Sequence, residues 1–267
     1  MSSSASPASY RLRALLTGAL LLLGACVGKA EEHRVRANAF LRGGDAASAV
    51  KECDEGLAAK HGDVALLILR GKALFELDRL DDARAAYQAA VEGSGSGEAR
   101  ALAEAHLGLG MIASRQKDYT AARTQFEALV KINDKDSSSH LNLAKTCLEL
   151  GDLPCAVTHA EAAAHGRGDE EPVLYSLGTI YLAAGKPQDA ELTFRHICDT
   201  IPGAASCPYG LALVAARAGD RKKALEELAD AVHRKLPNPD QIAKEPGFAS
   251  LRDDPEFQKI VASAAHP

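Results

Sequence analysis

Along most of the chain, apolar positions recur with a helical period in segments of about a dozen residues, and a small residue stands near the start of every second segment. These residues are Ala49, Ala83, Ala122, Ala156, Ala190 and Ala224, spaced by 34, 39, 34, 34 and 34. Four residues further on, on the same helical face, stand Cys53, Tyr87, Phe126, Ala160, Phe194 and Leu228, most of them large and apolar. A small side chain lets a second helix approach the first, and the residue four later fills the groove between neighbours. The pairs Gly44-Asp45, Gly151-Asp152, Gly185-Lys186 and Gly219-Asp220 mark the breaks between paired helices. The five extra residues in the second interval are accounted for by Gly93-Ser94-Gly95-Ser96-Gly97, read as a flexible insertion. The pattern predicts six amphipathic helical hairpins over 30–238, starting near 30, 64, 103, 137, 171 and 205. None can bury its apolar face alone, so they must stack.

A stack needs a closing cap, expected over 239–267. Asn238-Pro239 and Asp254-Pro255 each place a capping side chain before a proline at the first helical position, which predicts two short helices. In the second, Phe257, Ile260 and Val261 share one face suited to covering the last hairpin.

The fifth unit, EPVLYSLGTIYLAAGKPQDAELTFRHICDTIPG, carries Leu177-Gly178, Tyr181, Ala190, Phe194 and Pro202 at the offsets of the tetratricopeptide pattern, whose period is 34 residues. The chain therefore resembles tetratricopeptide-repeat (TPR) proteins. The resemblance implies an all-α fold, a right-handed superhelical solenoid of about six repeats with a helical cap. It also implies a concave groove, lined by the first helices, that holds a peptide segment or helix of a protein partner. In this register the inward candidates are Arg34, Asn38, Lys72, Met111, Asn142, Lys145, Tyr175 and Tyr209. The basic members and the lack of an acid among them predict a groove that attracts acidic or polar segments. The family's carboxylate clamp needs basic and Asn residues in three successive repeats. Arg34 and Asn38 fit the first, but Leu69 stands where the second Asn belongs.

Before the first hairpin lies a different apolar segment. The 15 uncharged residues between Arg13 and Lys29 fall short of the roughly 18 to 20 that a membrane-crossing helix needs. Basic Arg11 and Arg13, the apolar core Ala14–Leu23 and small Gly24 and Ala25 follow the order of a secretory signal, assigned to residues 1–25. Leu23-Gly24-Ala25-Cys26 resembles the lipobox of bacterial lipoproteins, which implies lipidation at Cys26 and a short tether over 26–29. In the enterobacterial sorting rule an Asp after that cysteine retains a lipoprotein in the inner membrane, so Val27 directs the chain to the outer membrane, facing the periplasm. Among lipoproteins of this design, the six-repeat pilotins that help type IV pilus secretins assemble are similar in architecture. A general envelope-assembly scaffold, and an envelope enzyme or accessory subunit without a familiar motif, are the alternatives.

Composition narrows these readings. Without residues 1–25 the chain holds 29 basic and 36 acidic residues, a balance of −7, which disfavours nucleic acid as a partner. Phosphate-loop, dinucleotide-fingerprint and zinc-protease motifs are missing from the sequence, so no catalytic residue, cofactor or metal is expected. The nine histidines look scattered. His159 and His165, six apart on a helix, point about 240° from each other and cannot share a metal. Acidic Asp81-Asp82 and Asp169-Glu170-Glu171 fall at helix starts, where the helix dipole favours them. In an exported chain the cysteines can oxidise. Cys147 and Cys155 flank the turn of the fourth hairpin, and Cys198 and Cys207 flank the link from the fifth to the sixth. Four cysteines allow three pairings, of which position favours these two. Cys53 falls at a core position and reads as a buried thiol.

Overall fold

The computed structural model of the chain describes residues 28–95, 98–166, 170–236 and 239–265. Cys26 and Val27, the signal segment, Ser96 and Gly97 of the insertion, and Asn238 lie outside the described residues. Within them the fold is all-α. The chain forms two compact units, divided between Ile132 and Asn133. Unit 1 holds α1 (28–42), α2 (Ala46–Ala59), α3 (Val64–Glu76), α4 (Leu80–Gly93), α5 (Ala99–Arg115) and α6 (Tyr119–Ile132). Unit 2 holds α7 (Ser137–Glu149), α8 (Leu153–Gly166), α9 (Glu171–Ala183), α10 (Pro187–Thr200), α11 (Ser206–Arg217), α12 (Arg221–His233) and, after two 3-10 segments, α13 (Pro255–Ala265). No described helix is long and apolar enough to cross a membrane.

The same backbone device joins the two helices of every hairpin. The second residue after the first helix has a left-handed φ: Gly44, Gly151, Gly185 and Gly219 lie between +73° and +78°, and Asp78 and Lys117 take +60° at the equivalent place. Its own amide and the next one bond back to carbonyls of the last helical turn, as in Asp45 N–H to Phe40 O and Gly44 N–H to Leu41 O, at 2.9 and 3.1 Å. In the first, third, fourth and sixth hairpins the side chain of the following residue then caps the second helix. Asp45, Asp118, Asp152 and Asp220 accept from the amides of Ser48, Ala121, Cys155 and Lys223 at 3.0 to 3.2 Å. The second and third hairpins lack the glycine yet adopt this turn, so the sequence signal was narrower than the structure it marks.

All six spacing alanines, Ala49, Ala83, Ala122, Ala156, Ala190 and Ala224, are fully buried. Four residues on, Phe194 is fully buried and is pressed between two glycines. A Cβ on Gly178 of α9 or Gly210 of α11 would come within 2.6 or 2.3 Å of its ring. Tyr87 stands likewise between Gly71 of α3 and Gly108 of α5. Because the ring is gripped from both sides, first helices touch first helices, α3 with α5 and α9 with α11.

The capping region differs from the sequence expectation. The segment after Asn238 is a 3-10 segment, Pro239–Lys244, and a second one, Pro246–Leu251, lies against α11. Helix α13 packs on α12, with Asp254 accepting from the amides of Glu256 and Phe257 at 2.8 and 3.3 Å and paired with Arg221. Its Phe257 is buried, and Ile260 and Val261 pack on the same core as Phe194, Leu228 and Phe248. The insertion also begins earlier than a loop would: Gly93 is the last residue of α4, and Ser94 caps the helix with its hydroxyl donating to Ala90 O at 2.7 Å.

Two disulfides tie unit 2. Cys147–Cys155 spans the α7–α8 turn with Cα atoms 5.8 Å apart, and Cys198–Cys207 joins α10 to α11 at 5.5 Å. Cys53 is a free thiol, buried among Ala30, Ala37 and Leu66, and burial pushes its pKa up to about 12.

Two outcomes follow. Phe194→Ala should cost about 3–5 kcal/mol in urea unfolding, because the two flanking glycines offer no side chain to refill the space. Peptide mapping without reduction should recover the 147–155 and 198–207 linkages, and Cys147→Ser should lower stability by about 2–4 kcal/mol. Free thiols at all four positions would refute the pairing.

Candidate partner-binding surface

In unit 1 the first helices α1, α3 and α5 line two neighbouring cavities of about 580 and 480 Å³ that share Asn38, Leu69, Arg100 and Glu104. Arg34, Asn38, Lys72 and Met111, all expected to face inward, are brought together here. The cavity walls are more apolar than that list suggested. Val35 is 61%, Leu107 36% and Met111 43% exposed, and Ile68, Leu69 and Phe75 continue the apolar wall. Leu69, which breaks the clamp pattern, lines both cavities.

The expectation of an acid-free basic groove is corrected. Glu104 of α5 accepts from Lys72 Nζ at 2.6 Å and Arg100 Nε at 3.2 Å. Burial pushes the Glu104 carboxyl upward, but these two cations outweigh it and hold the group below the ordinary carboxylate range. Lys72 is therefore a paired charge, and Arg34 is paired as well, with Glu31 at 2.5 Å. The partner of Lys72 sits 32 residues away on the next first helix, beyond any local pattern. Glu76 and Glu98 add further acids to the walls. Leu107 and Val35 were missed for a different reason: exposed apolar residues look like core in a helical pattern. Leu107 does stand 15 residues before its spacing alanine, the offset of Arg34, Tyr175 and Tyr209, and that offset was the available signal.

In unit 2, Lys145 is exposed on α7, while Asn142 is half-buried and its backbone carbonyl accepts from the Thr146 hydroxyl at 2.8 Å. The two tyrosines need correction as open contact surface. Tyr209 is only 7% exposed, and Tyr175 packs on Phe194 and Tyr209 with ring centroids 5.8 and 6.5 Å apart. Burial pushes the Tyr175 phenol up to about 12.

The histidines are less scattered than their sequence positions. Across a hairpin, residues 19 apart meet: His33 Nδ1 with Glu52 at 2.8 Å, His106 Nδ1 with Gln125 at 2.8 Å, and His140 Nδ1 with His159 Nδ1 at 2.9 Å. His140 Nε2 donates to Asp134 O at 2.9 Å, so in its neutral form Nδ1 accepts and His159 donates. Among the described residues, His33, Glu52 and Glu55 have ligand atoms within 4.8 Å of one another, close enough to hold a metal. They also form ordinary ion pairs, with Arg36 3.8 Å from Glu52.

The site is an apolar strip exposed along adjoining first helices, edged by charges of which Arg34, Lys72, Arg100 and Glu104 are paired. The sequence comparisons and solved structures agree with the repeat from which it is built. The tetratricopeptide repeat profile matches residues 34–99, 71–140 and 107–172, together just over half of the chain. No curated protein sequence matches it. YrrB, described as a TPR protein with an unusual peptide-binding site, is 20% identical, with 70% of this chain and 93% of that one covered at a TM-score of 0.57. PilW, described as a widely conserved type IV pilus biogenesis factor, is 15% identical, with 87% and 98% covered at 0.65. PilF of Pseudomonas aeruginosa is 14% identical, with 90% and 99% covered at 0.64. At such identities the likeness shows the fold alone. The repeated hairpin and the profile match over most of unit 1 and into unit 2 place this chain in the tetratricopeptide-repeat family.

Proposed function

We propose that the chain is a lipid-anchored TPR scaffold of the bacterial cell envelope, attached through Cys26 to the outer membrane and facing the periplasm, where it assists assembly of a type IV pilus secretin. The scaffold part of this reading is carried by the apolar strip of unit 1, where Val35, Leu107 and Met111 stay exposed beside Leu69 and Phe75. A monomeric surface seldom leaves such side chains side by side without a partner to cover them. The strip suits the apolar face of a helix or extended segment, and the ion-paired rim of Lys72, Glu104 and Arg100 sets its orientation more than its affinity.

The anchor is supported by the run Leu20–Cys26, in which the apolar core is too short to span and stops at a cysteine. Acyl chains on that residue would replace a helix as the membrane attachment, at about 0.8 kcal/mol per buried methylene. Two disulfides in unit 2 suit an oxidising compartment. The pilus role is supported by PilW and PilF, similar in fold over nearly their whole length.

Replacing Cys26 with Ser should move the protein from the membrane to the soluble fraction, and unchanged attachment with unchanged mass would refute the lipid anchor. For binding, the full chain would be used to retain a pilus secretin from solubilised envelopes. Leu107→Asp with Met111→Asp should weaken retention at least tenfold (about 1.4 kcal/mol or more) while helical circular dichroism is preserved. Lys72→Met should change it little, since it removes a charge already paired. Full retention by the double variant would displace binding from this strip.

A further inference from the structure

His33 of α1 and Glu52 and Glu55 of α2 bring three donor atoms to one place on the first hairpin. Glu52 and Glu55 stand three residues apart and so share a face of α2. His33 Nδ1 lies 2.8 Å from Glu52 Oε2 and 3.8 Å from Glu55 Oε2, and the three ligand atoms all fall within 4.8 Å of one another. The imidazole is seated from behind, since a Cβ on Gly56 of α2 would come 3.0 Å from His33 Cβ. The side chains of His33 and Glu52 are only 17% and 16% exposed, whereas Glu55 is 48% exposed. The set is therefore recessed on one side and reachable from solvent on the other.

The pairs in the same register of the third and fourth hairpins do not complete such a set. Three residues after Gln125 and His159, the partners of His106 and His140, stand Ala128 and Ala162. The first hairpin resembles the fourth in another respect: its ring position holds a small residue, Cys53, where the fourth holds Ala160. The fourth hairpin is tied by a disulfide, but Cys53 is a free thiol and makes no such link. Two cations flank the donors. Arg36 and Lys51 stand 3.8 and 3.9 Å from Glu52 and Glu55, outside hydrogen-bond distance, so neither occupies a carboxylate lone pair. Both side chains are exposed, and Arg36 also pairs with Glu32 at 3.3 Å.

We propose that His33, Glu52 and Glu55 form a zinc-type site: they bind one first-row divalent cation, with water as the fourth ligand, and the ion clamps α1 to α2. Zinc held at about 2.0 to 2.2 Å by nitrogen and oxygen places its ligand atoms about 3.3 Å from one another, between the 2.8 and 3.8 Å seen here. An imidazole among the donors favours such an ion over calcium or magnesium, which take oxygen shells. Coordination uses the Nδ1 lone pair, so a proton held between Nδ1 and Glu52 moves to Nε2 or leaves to solvent. The ion's charge cancels that of the two carboxylates. Arg34, Val35 and Asn38, on the same helix, line the 580 Å³ cavity, so the clamp also holds one wall of the unit 1 strip. A search for contiguous zinc motifs passes over the site because its ligands come from two helices, 19 residues apart. It requires neither the lipid anchor nor a partner on the strip, and stands or falls separately from both.

The probe is zinc chloride, titrated by calorimetry into the full chain, free of any histidine tag and stripped with a chelator. One equivalent should bind with a dissociation constant in the micromolar range or below, and saturating zinc should raise Tm by about 3 °C or more. His33→Ala and Glu55→Gln should each weaken binding by about tenfold or more and remove the shift in Tm. Cys53→Ala and His159→Ala, which take away the buried thiol and a histidine of the fourth hairpin, should keep both. Cobalt(II) in place of zinc should give the visible absorption of a four-coordinate site, and His33→Ala should lose it. Magnesium or calcium in large excess should not compete. Absence of zinc binding by the wild-type chain, binding unchanged in Glu55→Gln and His33→Ala, its loss in Cys53→Ala or His159→Ala, or displacement of zinc by calcium overturns the proposal. Should His33→Ala fail to fold, Glu55→Gln decides, since it replaces an exposed carboxylate by an amide of the same shape.

Discussion

The distance between neighbouring first helices is governed by a ring held against bare backbone. Tyr87 lies between Gly71 and Gly108, and Phe194 between Gly178 and Gly210, at separations where even one added carbon would collide. Close-packed interiors do not deform continuously, so such a contact fixes the spacing instead of merely tolerating it. The contact of α3 with α5 and of α9 with α11, and the face those helices present, depend on it.

The fourth repeat shows what takes over where the ring is missing. Its position holds Ala160, buried but small, and that hairpin carries the Cys147–Cys155 disulfide and the His140–His159 hydrogen bond between α7 and α8. A covalent link across the turn restricts the unfolded chain and keeps the helices paired without a large apolar filler. The second disulfide acts on a different joint, fastening α10 to α11 where the fifth repeat meets the sixth. Unit 1 has no disulfide among its described residues: its one cysteine there is the buried thiol Cys53, and the second and third repeats keep the rings Tyr87 and Phe126.

The same framework gives the two units different surfaces. In unit 1 the first helices expose an apolar strip, with Val35, Leu107 and Met111 open to solvent and Lys72, Arg100 and Glu104 paired with one another beside them. In unit 2 the corresponding face of α11 is already covered by Phe248 and Gly247, and the tyrosines that a sequence reading places in contact with a partner are in contact with the chain itself. Inside each hairpin a further register position, the pair 19 residues apart, carries polar partners such as His33 and Glu52 or His106 and Gln125. Their charges and protons are satisfied within the repeat and do not face a groove.

Whatever depends on spacing along one helix or between successive repeats was legible in the sequence. The alanine ruler, the ring four residues later, the glycine turns and the capping aspartates are local or strictly periodic, because a repeat's packing is solved once and reused. Even the discrepancy of five residues could be placed, although its first glycine closes α4. The environment of each side chain was not legible. Lys72 meets Glu104 on the next first helix, His140 meets His159 across a turn, and Tyr209 lies under a segment that carries no repeat signature at all. Those contacts join residues from about 20 to 40 positions apart in directions that only the packed helices define. Sequence alone therefore determined the repeat and its register, while tertiary structure decided which first-helix faces stay open, because a face is closed by whatever chain happens to pack on it.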